Sequence, residues 1–258
     1  MKKLVLLFFG ICFSAMIFSQ TEKEIEHKVH FWTSINSTMR LHNHWGVMGD
    51  FHIRRGDIIK DPNFYFLRIG GVYWINDKIS LAGGGAVLWL ANIQSDETYF
   101  SLERRVFQQL LWRNVNGKAR FLQRVRNEQR WHDISNEDGS YDRTRFSNRV
   151  RYLFSASIKV FEKESAPRLV LADEILFHFG SEIVYNTFDQ NRFFVGFNQR
   201  INKNIVFDYG YMAVFQQKYS GYQYDLNHTI RLFFYYSPDF RKRKEEELPH
   251  YPVSGSME

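Results

Sequence analysis

Cysteine is almost absent from this 258-residue chain; Cys12 is the only one. It sits in an apolar N-terminal run, so everything after that run lacks disulfides, thiol nucleophiles and cysteine metal sites. Ile11 before it is bulkier than the small residue a lipoprotein signal needs there. Proline is also scarce. The five residues Pro62, Pro167, Pro238, Pro249 and Pro252 lie mostly at segment edges, leaving long stretches free to pair as strands. Long apolar runs are scarcer still. Leu4 to Phe18 is the one example, and it falls short of the ~20 residues a membrane helix requires. Lys2 and Lys3 precede it, and Ser19 and Gln20 end it, which is the layout of a cleaved export signal over residues 1–20.

Aromatic residues, by contrast, are abundant. They make up 17% of the chain, with 25 Phe and 14 Tyr, while charged residues stay at an ordinary 24%. Many rings beside undiminished charge imply two unlike faces rather than one oily core. The mean hydropathy of −0.40 would class the chain as soluble, but a barrel strand is only weakly visible to such an index. The apolar residues recur at every second position. In an exported chain this predicts an all-β, antiparallel transmembrane β-barrel, since only helices and closed barrels satisfy the backbone within lipid. The net charge of +6 would admit nucleic acid, but export and the lack of clustered stacking aromatics argue against it.

Residues 21–240 read as the barrel. Trp45, Val47, Phe51 and Ile53 alternate with Met48, Asp50, His52 and Arg54; Tyr65, Leu67, Ile69 and Tyr73 alternate with Phe66, Arg68 and Gly70. Asn116-Gly117 is the strongest hairpin signal. Eleven strands are clear, and the even counts of single-chain bacterial barrels favour twelve within a range of ten to twelve, with Gly180 to Asn186 in the additional strand. The facing of Arg168 to Phe179 stays open, because Asp173 falls in step with Leu171 and Ile175. Short turns alternate with longer loops, as periplasmic turns do with extracellular loops. Tyr73, Trp74, Trp89, Trp112, Trp131, Tyr209, Tyr211, Tyr235 and Tyr236 fall near strand ends and predict an interfacial girdle. Residues 241–258 read as a charged, solvated tail.

The most distinctive local pattern is a row of charge. Arg120, Arg124, Arg126, Glu128, Arg130 and His132 share one face of one strand. Glu103 and Arg105 precede it, Arg145, Arg149 and Arg151 follow, and Asp208 lies on a later strand. Against lipid each arginine would cost about 2–4 kcal/mol near the midplane, so the array must face the lumen. Two readings follow. Either the arginines pair with carboxylates such as Glu103, Glu128, Asp50, Glu174 and Asp208 and fill a narrow barrel, or surplus positive charge lines an anion-preferring conduit. On the opposite face, Gln123, Asn127 and Gln129 are too polar for mid-depth lipid, so part of that strand is expected to rise above the membrane.

Other motifs are weaker. Gly83-Gly84-Gly85 lacks the Lys-Ser or Lys-Thr of a phosphate loop and instead makes room inside a strand. His27, His30, His42 and His44 suggest no metal geometry. His132 and Ser135 are the sequence's thin basis for an alternative, a membrane-embedded lipid hydrolase. The expectation is a non-enzymatic outer-membrane protein without cofactor or metal. Its partners would be outer-membrane lipid and small anionic solutes, not nucleic acid.

Phe31-Trp32, Glu128-Gln129-Arg130-Trp131, the alternating arginines of Arg145 to Tyr152, Phe188-Asp189-Gln190-Asn191-Arg192, and Asn202-Lys203-Asn204 to Tyr209-Gly210-Tyr211 together resemble the family known as domain of unknown function 2490. The likeness runs over nearly all of the exported chain. It implies a small outer-membrane barrel of the kind found in Bacteroidetes-type bacteria, with no assigned activity. Members end on an aromatic residue, whereas this chain ends in its charged tail.

Overall fold

A strand whose alternate residues differ in polarity must present one row to each side of its sheet. In the computed structural model, which describes residues 22–94, 97–136, 140–163 and 165–241, that rule organises the whole wall. Met1 to Gln20 and most of the charged tail lie outside the described residues.

The strands are β1 (Glu24–Arg40), β2 (Trp45–Gly56), β3 (Asp61–Trp74), β4 (Ile79–Gln94), β5 (Glu97–Asn116), β6 (Ala119–Ser135), β7 (Tyr141–Ile158), β8 (Arg168–Phe179), β9 (Phe188–Arg200), β10 (Ile205–Gln217) and β11 (Gln223–Tyr236). Each pairs with its neighbour in sequence, and β1 meets β11 to close the barrel. The sequential pairs are antiparallel, while the β1–β11 seam is parallel, with Phe31 opposite Ile230 and Ile35 opposite Phe234. The described wall therefore holds eleven strands rather than twelve. Residues 180–187 form a turn-rich connection instead of the extra strand: Ile183 N–H donates to the Gly180 carbonyl at 3.0 Å, and His178 N–H to the Thr187 carbonyl at 2.9 Å.

Two rims result. On the rim where β1 begins, β2 passes to β3, β4 to β5, β6 to β7, β8 to β9 and β10 to β11; on the opposite rim lie the turns 41–44, 75–78, 117–118 and 201–204 and the longer passage from β7 to β8. Apart from that passage, the opposite rim is built of turns of four residues or fewer. Two of these use one device. Asn76 Oδ1 accepts from the N–H groups of Lys78 and Ile79, and Asn202 Oδ1 from those of Asn204 and Ile205, at 2.8–2.9 Å. The β5–β6 hairpin turns on Gly117-Lys118, one residue later than the sequence suggests, with Gly117 at φ 55°.

The facing is inverted relative to a soluble domain. Ile69 is 66% exposed and Ile35 59%, whereas Arg124 is 1% and Arg231 0% exposed. Trp74 and Tyr235, which the sequence placed in the outer girdle, point into the lumen instead, at 3% and 2% exposure. Being near a strand end did not decide their facing; strand parity did. Apolar residues also fill part of the interior, with Trp32, Leu153, Val170, Phe194, Met212 and Phe233 in one cluster and Phe66, Ala86 and Leu88 in another. Glycines open the space for these rings. Gly70 lies opposite Gly84, and Gly196 opposite Gly210. A Cβ on Gly70 would meet the Phe107 ring, and one on Gly196 the Phe194 ring.

Candidate functional site

The lumen-facing row of each strand from β5 to β9 carries charge at matching height. Register sets Glu128 opposite Arg149, Arg105 opposite Arg130 and Glu174 opposite Arg192. Buried charges are tolerated only when paired and hydrogen-bonded, and these are paired several times over. Glu103 accepts from Arg130 Nε and Nη2 at 2.9 and 2.8 Å and from Arg105 Nε at 2.5 Å. Glu128 accepts from Arg149 Nε and Nη2 at 2.9 and 2.5 Å and from Arg151 Nη1 at 3.0 Å. Glu174 binds Arg151 through both oxygens at 2.9 and 2.8 Å and Arg124 at 2.6 Å, with Arg192 at 3.5 Å. Asp189 takes the remaining edge of Arg149 at 3.0 Å. Arg126 is held by Gln109 at 3.0 and 2.5 Å and lies 3.7 Å from Glu128. The result is one cross-linked layer of arginines and carboxylates joining the inner faces of β5 to β9. Two-pronged guanidinium–carboxylate contacts fix its geometry.

Most of the residues expected in a lumen network therefore come together: Glu103, Arg105, Arg124, Arg126, Glu128, Arg130, Arg149 and Arg151. The others lie elsewhere. Arg120 is at the hairpin end of β6, opposite Ser157. Asp208 belongs to a second group on the adjoining strands β9 to β11, where it accepts from Asn198 and lies 3.6 Å from Arg231. Arg231 there stacks over Phe194 and Phe233, both at 4.2 Å. Arg145 reaches the rim, hydrogen-bonding Tyr219 and lying 4.2 Å over its ring. Burial raises the Tyr219 phenol pKa against the opposing pull of Arg145. On the same rim, a hydrogen bond from Arg143 at 2.9 Å lowers the Glu182 pKa.

Sequence reasoning did not assign Asp189 and Arg192 to the lumen. Asp189 is the extra residue at a β-bulge, where pairing jumps from Phe177–Phe188 to Leu176–Gln190, so its parity is broken. Arg192 closes the Phe188 to Arg192 stretch of the family resemblance, the signal in the sequence that could have marked it. The open facing of β8 is also resolved. Glu174 points inward, while Asp173 points outward and accepts from Asn191 at 3.0 Å.

The hydroxyl beside His132 is Ser101, at 3.4 Å from Nε2, and not Ser135, which lies opposite Tyr141 at the strand end. His132 Nδ1 faces Arg145 Nη2 at 3.4 Å, where a hydrolytic triad would place a carboxylate. The four N-terminal histidines diverge. His27 stacks outside on His228, His30 is buried inside, and His44 contacts the Trp74 carbonyl at 2.8 Å.

Around the network, on the short-turn side, lies a small vestibule with about 50 Å³ of room for water-sized solutes. Arg68, Arg113, Arg124 and Arg126 line it together with Asp50, Ser80, Trp74 and Ser237.

Residues 29–225 match the sequence profile of a family described as protein of unknown function, DUF2490. The chain belongs to that family. No curated protein matches the sequence. A likeness to a solved structure titled "NanC porin structure in rhombohedral crystal form" has a TM-score of 0.43 and 11% identity, covering 72% of this chain and 83% of that one.

Proposed function

We propose that this protein is a non-enzymatic outer-membrane β-barrel whose lumen is sealed by its arginine–carboxylate layer. The observation that carries this reading is the inversion of polarity described above: apolar rows outside, a cross-linked ionic layer inside. An apolar outer surface on a sheet without free edges suits lipid, and multiply paired charges suit the closed interior. Strand length supports the same setting. β5, β6 and β7 have 20, 17 and 18 residues, well beyond the ~9–11 needed to cross a bilayer, so their ends stand clear of it. The outward polar groups of this tall wall satisfy one another. Gln108 and Gln129 exchange hydrogen bonds at 3.1 and 3.2 Å, and Arg104 pairs with Asp133 at 2.6 Å.

Of the two lumen readings, the closed one is favoured over the anion conduit. A conduit needs charge facing water, and here the central arginines are committed to carboxylates and screened from it. Planar-bilayer recording of the refolded protein tests the choice. Wild-type protein is expected to give no current steps at neutral pH, whereas Arg149→Ala combined with Arg151→Ala opens a leak. Stepwise anion-selective currents from the wild type would overturn the closed reading.

A further inference from the structure

We propose that the vestibule on the short-turn side is a binding site for a small, multiply charged oxyanion, with free phosphate or sulfate as the fitting class. The proposal takes the closed lumen of the preceding section as the floor of the pocket.

Three features point to an anion. First, the lining is cationic: Arg68, Arg113, Arg124 and Arg126 converge on it, and Asp50 is its one carboxylate. Asp50 is already paired with Arg68, and Arg124 shares Glu174 with Arg151. Second, Arg113 has no ion pair or side-chain hydrogen bond among the described residues, and its Nε is buried without a partner. The neighbouring charge is Arg40, another cation, which pairs with Asp77 at 2.6 Å and lies 4.9 Å over the Trp74 ring. Arg113 is half-buried, and a guanidinium N–H shut off from water without an acceptor is costly; an anion in the cavity would supply that acceptor. Third, the room suits the ligand. A cavity of about 50 Å³ holds a few waters at ~10–15 Å³ each, or one tetrahedral oxyanion in their place. Ser80 and Ser237 supply hydroxyl donors beside the guanidinium groups. The strands wall the site off laterally, so a bilayer headgroup has no approach and the ligand must enter through the mouth.

Titration calorimetry tests this. The full chain is refolded in a phosphate-free non-ionic detergent and titrated with inorganic phosphate, with ionic strength fixed by chloride. One saturable site is expected. Arg113→Gln should weaken it at least tenfold, and Arg113→Lys should retain most of it. Lys203→Gln, on a turn of the same rim, should leave it unchanged. If Arg113→Gln fails to fold, Ser80→Leu fills the same space without removing charge and should abolish binding. Absence of saturable binding to the wild type, or equal affinity in Arg113→Gln, would overturn the site. Bilayer recording on the same preparation separates the two readings. Phosphate-carried current alongside binding would overturn the closed lumen and leave the site standing; a silent bilayer without binding would do the reverse.

Discussion

Glu174 is the residue whose loss the lumen can least absorb. It is fully buried and serves Arg124, Arg151 and Arg192 together. Removing one member of a buried ionic group strands the others, at a cost of about 3–5 kcal/mol. Glu174→Ala is therefore expected to lower the unfolding free energy of the refolded barrel, extrapolated from urea titration, by an amount in that range, while Asp173→Ala, one position away on the outer face, changes it little. The pair also marks the limit of what the sequence makes legible. Parity along β6 and β7 gives the inward arginines directly, because hydrophobic neighbours there fix the register. In β8, two adjacent carboxylates sit in an apolar run, and only the opposing Arg151 and Arg192 decide which turns inward. Those partners belong to other strands and are invisible to local pattern.

At the level of the strand, alternation predicts direction but not room. By alternation alone, Thr229 reads as a lumen position where arginine would be milder than at the outward Phe234. Its direction is inward, opposite His30 and Met212, but it is 0% exposed in a packed interior. Thr229→Arg is expected to impair refolding about as severely as Ile230→Arg, which puts a charge on the apolar outer row at a predicted cost of about 2–4 kcal/mol. Thr229→Ser should be tolerated. The measurement is the fraction of heat-modifiable, fast-migrating protein on an unheated gel. A mild Thr229→Arg would mean that the lumen holds more water than its packing indicates. Packing of this kind depends on side chains from many strands meeting across the barrel, which no single segment encodes.

For the barrel as a whole, the strand count depends on a contact between the two ends of the sequence. The individual strands, their facing and most turns are readable from alternation and from Asn or Gly signals. The parallel β1–β11 seam is not, because nothing near residue 30 specifies a partner near residue 230. The seam's register can be trapped covalently. Cys12 is the single cysteine of the sequence and lies outside β1 to β11, so engineered cysteines in the strands have no native competitor within the wall. Ile35→Cys with Phe234→Cys, outward-facing and paired, should form a disulfide on mild oxidation, whereas Ile35→Cys with Ile230→Cys should not. A disulfide in the second variant alone would mean the seam is slipped.

An odd wall also separates the ends of the described chain. β1 starts at one rim and β11 finishes at the other, so the polypeptide makes one crossing that has no return partner. With short turns toward the periplasm, as the loop lengths of the sequence predict, an epitope placed just ahead of Glu24 would be displayed to antibodies on intact cells, while one placed just after Tyr236 would be hidden until the envelope was opened.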